Sequence, residues 1–194
     1  MGRPRRFDEN ALIDAAEELF WSRGFDGTSV EDVSAATGVG NGSIYAAYSN
    51  KMGLFVAVLD RYCDRRAAFV QATLDATGGS AKHAVRVYFD AVIADCGSHP
   101  DRRGCLMLNT LAHMGDRVPA VTTVIGRATQ RMETAVAHRL RGPGFDELPE
   151  AEISALSAHV VMVSQGLIQL SRLGTSPPRL AEIAAVSADL LPTA

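Results

Sequence analysis

Apolar residues recur at helical spacing along almost the whole chain, and no stretch alternates as a strand would. Asp8 is a candidate cap. Ala11/Leu12, Ala15/Ala16 and Leu19/Phe20 then repeat every turn until Gly24 stops the run. Thr28, with Glu31 three residues on, predicts a capping box at the start of a short helix that faces Val30 and Val33 inward. Gly38 interrupts it, and Val39 gives the turn an apolar residue to bury. A second short helix follows over 41–48, with Ile44 and Tyr48 one turn apart. Asn50 then caps a long helix over 51–76, built on Leu54, Phe55, Val58, Leu59 and Tyr62. Two short helices joined by a glycine turn form a helix-turn-helix, whose second helix can enter a DNA major groove.

Beyond the break at 77–80, helices are expected over 81–96, 105–114, 119–140 and 150–173. Pro177 and Pro178 open a last one that runs to Leu191. The pattern predicts an all-α chain of about nine helices, with no internal repeat. Its parts are a helix-turn-helix unit with a basic arm over 1–50 and a longer helical unit over 51–194.

With 194 residues, 47% hydrophobic and 21% charged, the chain can bury a good core. A net charge of −3 means that any DNA contact depends on a local patch. Arg3, Arg5 and Arg6 supply one in an arm too short and too polar for a signal peptide. No unbroken run of eighteen apolar residues occurs, so no membrane span is expected. Cys63, Cys96 and Cys105 fit no zinc spacing and suit a reducing cytoplasm, so neither metal nor cofactor is expected. The sequence lacks a G-x-S-x-G, an H-E-x-x-H and a phosphate loop, which argues against an enzyme.

The string TSVEDVSAATGV, followed by GSIYAAY and then by NK and LF, resembles the TetR family of bacterial transcriptional repressors. The likeness covers about the first sixty residues, with a weaker echo in GCLMLNT. It implies a homodimer on a palindromic operator in double-stranded DNA, with the helix 41–48 as reader. It also implies phosphate contacts from Thr28, Tyr45 and Lys51. Asn41, Gly42, Ser43, Ala46 and Tyr48 complete the expected DNA surface, and the arginine arm would enter the minor groove or pair with phosphates. Thr28 is also open to a purely capping role, and Tyr45 to a packing one.

Departures from the family pattern matter. Only Asn41 and Ser43 offer hydrogen-bonding side chains on the reader, with Ala46 or Ala47 able to touch a thymine methyl. Specificity is therefore expected to lean on DNA shape and on the arm. Gly53, near the start of the long helix, costs about 1 kcal/mol relative to alanine and predicts a soft joint there.

The resemblance further implies that 51–194 is a helical regulatory and dimerisation unit with a pocket for a small-molecule inducer. Tyr88, Cys105, Asn109, His113, Met132, Met162, Gln165 and Gln169 are the candidates, being mostly polar or soft groups on apolar helices. Cys105 follows Arg102 and Arg103, a setting that favours a thiolate, and Cys96 lies nine residues earlier across a turn. A thiol-based redox or electrophile sensor therefore stands as an alternative, and a helical binding or scaffold protein without DNA as another. Finally, the helix 150–173 is apolar on more than one side, so a second copy is expected to cover part of it. The expected interface is Ile153, Val160, Val161, Leu167 and Ile168 with Leu180 and Ile183 of the last helix, and which stripe faces the partner is left open.

Overall fold

Local signals place several of the helix ends. The computed structural model describes residues 7–141 and 148–191. The arm residues Arg3, Arg5 and Arg6 lie outside them. Helix α1 (Glu9–Arg23) starts at Asp8, whose Oδ1 accepts from the N–H groups of Asn10 and Ala11 at 2.9 and 3.2 Å. It is followed by α2 (Val30–Thr37), α3 (Asn41–Tyr48) and the long α4 (Lys51–Ala76), which Asn50 caps by accepting from Gly53 N–H at 2.9 Å. Then come α5 (Ala81–Gly97), α6 (Leu106–Met114), α7 (Pro119–Leu140), α8 (Glu150–Arg172) and α9 (Pro177–Asp189). Nine helices and no strand occur among the described residues, as the pattern predicts. The starts of α3 and α4 fall on the expected residues. Helix α6 begins one residue late, because Cys105 is extended and serves as its cap.

Helix α4 runs through the middle of the molecule. Its first half packs on α1, and its length packs on α7 and α5. Asp60 pairs with Arg127 and Asp64 with Arg131, so α4 and α7 run parallel with their acidic and basic edges in register. Arg139 then closes the end of α4 by donating to Gly79 O at 2.5 Å. The hydrophobic core is continuous from Leu12 to Leu191, so α4 belongs to the interior of both halves.

Helices α8 and α9 correct the interface expectation. Ile153, Val160, Val161, Leu167, Ile168 and Leu180 are all buried within their own chain, and Ile183 is half-buried. Those residues face α5, α7 and one another and are core, not free surface. The surplus apolar surface lies on the other side: Met162 and Leu173 on and just after α8 are 61% and 81% exposed, and Val186 and Leu190 on and after α9 are 63% and 69% exposed. Met162 was expected in the pocket and instead stands outside. Helix α8 is also long and apolar enough to cross a membrane by length and composition alone, with a mean hydropathy of 1.4 over its most apolar stretch. That stretch includes serines, a histidine and glutamines, and its inner side is built into the core.

Candidate functional site

The start of α2 differs from the expected capping box by one residue. Ser29 is the cap: its Oγ accepts from Asp32 N–H at 3.0 Å, and the Asp32 carboxylate accepts from Ser29 N–H at 2.7 Å. The Ser29 hydroxyl also donates to that carboxylate at 2.6 Å, and this bond, with the one from Ser29 N–H, holds the Asp32 carboxyl below its usual range. Thr28 is buried, and its hydroxyl donates to Leu19 O at 3.1 Å and to Gly24 O at 2.9 Å. Thr28 thus ties the end of α1 to the start of α2, a bracing role within the fold. The turn to α3 is made by Gly38 in the left-handed region (φ 71°), with its N–H donating to Ser34 O at 2.8 Å.

Helix α3 is anchored by one buried side chain, Ile44. No side chain caps its N-terminus, where Gly40 stands. Gly42, Ser43, Tyr45 and Ala46 face outward, with Tyr45 43% exposed, so these four expected contacts share one free surface. Asn41 is half-buried, its Oδ1 enclosed without a hydrogen-bond partner. Tyr48 is half-buried. Its hydroxyl donates to Glu9 Oε1 at 3.0 Å, which ties the end of α3 to α1. Lys51 stands at the first turn of α4 with its Nζ 4.3 Å from the centre of the Phe25 ring, a cation–π contact that holds the ammonium beside the end of α3. The arginines further along α4 are ion-paired: Arg61 to Asp14, Arg65 to Glu17 at 2.5 Å and Arg66 to Asp95 at 2.6 Å.

The seam between α1 and the helices that follow the helix-turn-helix is aromatic and charged. Phe55 of α4 meets Phe20 and Phe25 edge-on at 4.9 and 5.1 Å between ring centres. Trp21 of α1 projects against Tyr62 at 5.2 Å and His99 at 5.0 Å, with Arg103 over its ring. Arg103 also pairs with Glu18 and Asp101, each at 2.7 Å. Arg103 is therefore committed to carboxylates and to Trp21.

The expected pocket residues do not converge. Tyr88 and Met132 are core. Asn109 donates to Arg103 O at 2.8 Å and accepts from Arg172 at 2.7 Å. His113 is exposed and faces Asp26 at 3.3 Å. Gln169 is exposed, and Gln165 is half-buried.

Two cavities do border the seam between α1 and the later helices. One, of about 20 Å³, is lined by Trp21, Tyr62, Arg66, Cys96, His99 and Cys105 among others and has room for about one water. Cys105 is buried there, and its Sγ accepts from the Tyr62 hydroxyl at 3.4 Å. The same hydroxyl accepts from Leu106 N–H at 3.3 Å, which supplies the start of α6 with the partner that no cap provides. Burial, and next the neighbouring Cys105, push the Tyr62 phenol well above its usual range. Burial likewise raises the Cys96 thiol and pushes Cys63 up to about 12. The second cavity, of about 490 Å³, is an open groove between the end of α1 and α6. Sequence reasoning missed Trp21 and Arg172, which border both cavities. A lone tryptophan was a visible signal, but only tertiary packing brings Arg172 beside it.

A family model described as bacterial regulatory proteins of the tetR family matches residues 12–58. The HTH-type transcriptional repressor ComR of Escherichia coli K12 is 34% identical over 194 residues, an alignment that spans 98% of this chain and 92% of ComR. BdcR of the same organism, another HTH-type transcriptional repressor, is 48% identical over 61 residues, 31% of each chain. Among solved structures, a cysteine mutant of the TetR family regulator CifR, complexed with 26-bp double-strand operator DNA, superposes with a TM-score of 0.78. It is 25% identical and covers 98% of this chain and 100% of its own. Reduced E. coli NemR shares the fold with a TM-score of 0.83 at 18% identity, over 95% of this chain and 97% of its own. A helix-turn-helix held on a long central helix, joined to a helical unit with relatives along its whole length, places this chain in the TetR family of bacterial DNA-binding transcriptional regulators.

Proposed function

We propose that the protein is a cytoplasmic homodimeric repressor that releases a palindromic operator when a small molecule binds its helical unit. The observation that carries the reading is the exposed apolar face of α8 and α9. A two-fold pairing of that face covers it and sets two α3 helices for two half-sites. On each half-site the outward residues of α3 meet the major groove. The uncapped N-terminus of α3, Tyr45 and Lys51 attract phosphate oxygens. Arg3, Arg5 and Arg6 are assigned to the flanking minor groove, where shape attracts arginine. Thr28 and Tyr48 support the unit from inside.

Selection of bound fragments from random DNA tests the reading. A single palindrome retained by a dimer, and released by a small molecule, is the expected result, whereas retention without sequence preference would refute it. On the selected palindrome, Lys51→Ala should weaken specific and non-specific binding alike and lower the salt slope by about 1. An unchanged slope removes Lys51 from the phosphate contacts.

A thiol-sensing version is favoured by one observation, that Cys96 and Cys105 line the same small cavity. In that version an electrophile or oxidant modifies Cys105, breaks the Tyr62 contact and shifts the start of α6. Cys63 serves as the internal control, since a thiol pushed up to about 12 stays protonated at neutral pH. Alkylation with iodoacetamide at neutral pH should label Cys105 or Cys96 before Cys63 and release DNA. Release that persists in a Cys105→Ser variant leaves only the ligand-binding version.

A further inference from the structure

The groove between α1 and α6 has a composition that selects one kind of ligand. One wall is the end of α1 and the loop after it; the other is α6, with the last turn of α8 at the rim. Phe20, Trp21, Phe25 and Phe55 give the groove an aromatic lining. Its charged border is basic in excess, since Arg23, Arg172 and His113 lie there with one carboxylate, Asp26. Asp26 is already faced by His113 at 3.3 Å. Arg172 is different. Its guanidinium meets the neutral Asn109 Oδ1 at 2.7 Å, and no carboxylate lies within ion-pair reach of it among the described residues. Beside it, the Trp21 indole N–H is enclosed without an acceptor. A donor with unused capacity, Arg172, thus borders an aromatic groove of about 490 Å³, within the size range of small-molecule sites.

We propose that this groove binds a small aromatic carboxylate, with its ring on the phenylalanine and tryptophan lining and its carboxylate on Arg172. An ionised carboxylate suits a planar guanidinium that presents parallel N–H groups. The two walls belong to different units, α1 to the DNA-binding unit and α6 to the regulatory one. An occupant that fills the groove therefore fixes their separation, and with it the setting of α3 against DNA. This rests on the ligand-responsive reading above and supplies its site and ligand class.

The chain has a single tryptophan, so its emission reports on the groove directly. The full-length protein is titrated with 4-tert-butylbenzoate and, in parallel, with the neutral 4-tert-butylbenzamide. Operator retention is followed on the selected palindrome in the same samples. Saturable change of Trp21 emission with the carboxylate is expected, and binding of the amide at least about tenfold weaker, the scale of one charge-assisted hydrogen bond. Arg172 is exposed, so the fold tolerates its replacement. Arg172→Gln should reduce carboxylate affinity about tenfold and leave the amide unchanged, while Arg172→Lys recovers part of the loss. Carboxylate saturation should also lower operator retention by the wild-type protein. Equal affinity for acid and amide, or no effect of Arg172→Gln, overturns the proposal. So does the absence of saturable emission change in protein that still retains the operator, a result that leaves the regulator reading standing. Release of the operator by a different molecule without any Trp21 response keeps ligand control and removes this groove from it.

Discussion

Met162→Glu should convert the protein to a monomer and lower operator affinity by about 10²–10⁴-fold, with the helical fold intact. Met162 is 61% exposed in the single chain, so an added carboxylate costs little there until a second copy arrives. Around it, α8 carries no Asp, Glu, Lys or Arg from Ile153 through Ser171. Its outer side shows Ala155, Ala158, Gly166 and Gln169, small or neutral residues that let a partner helix approach closely. Leu173, Val186 and Leu190 extend the same apolar surface. Two glutamates brought together across a two-fold axis are desolvated and repel each other, and no cation on this stretch of α8 compensates them. Loss of the second half-site removes the effective-concentration gain of linked binding, which is the stated factor. Sedimentation gives the oligomeric state, circular dichroism the fold and a gel shift the affinity. A Met162→Glu protein that remains dimeric and binds the palindrome like wild type would place the interface elsewhere. Val161→Glu, one residue away, is a contrasting control, because Val161 is buried in its own chain and the charge there should unfold the protein.

Residues 161 and 162 illustrate what a sequence reveals and what it withholds. The excess of apolar surface on α8 was legible, since periodicity alone shows that one partner cannot cover it. Which side faces inward was not, because both sides read as apolar and the choice belongs to α5, α7 and α9. The same division appears at the start of α2. Thr28–Glu31 and Ser29–Asp32 are two overlapping capping patterns, equal on local grounds. Tertiary structure decides between them: the carbonyls of Leu19 and Gly24 need a donor, Thr28 supplies it, and Ser29 is left to cap. The helix ends at Gly38 and Asn50 were legible because their signals are local. The pocket was not. Tyr88, His113 and Gln169 share polarity on apolar helices but not a location, and a cavity is defined by location. Trp21 and Arg172 are 151 positions apart in the chain and meet only because α1 and α8 end at the same seam.

Gly53→Ala should destabilise the protein and disable operator binding, although helix propensity alone predicts a gain of about 1 kcal/mol. A Cβ at position 53 would lie 2.0 Å from the carbonyl oxygen of Tyr48, far inside contact distance, and that oxygen is backbone and cannot swing aside. The close approach comes from the connection between α3 and α4. Ser49 has φ 68° and ψ −45°, and Asn50 N–H donates back to Tyr48 O at 2.8 Å, which makes a three-residue γ-turn of the strained, positive-φ hand. Such a turn folds the last carbonyl of α3 against the first turn of α4, and only a residue without a side chain fits there. The joint is therefore tight, contrary to the softness that a glycine in a helix suggests. Adding the methyl must push α3 away from α4 or open the turn, at a cost of about 1–3 kcal/mol by overpacking. Because α3 is anchored on the core by Ile44 and tied to α1 by the Tyr48–Glu9 contact, the displacement falls on the helix proposed to read DNA. A lower melting temperature and operator affinity reduced by at least about tenfold are expected together, since a misplaced reader loses base contacts of about 1–3 kcal/mol each. Ser49→Gly should act in the opposite direction on stability, because glycine adopts the positive φ without strain. A Gly53→Ala protein that melts higher than wild type and binds the palindrome as tightly would show that the α3–α4 joint yields, and that the γ-turn does not set the reader.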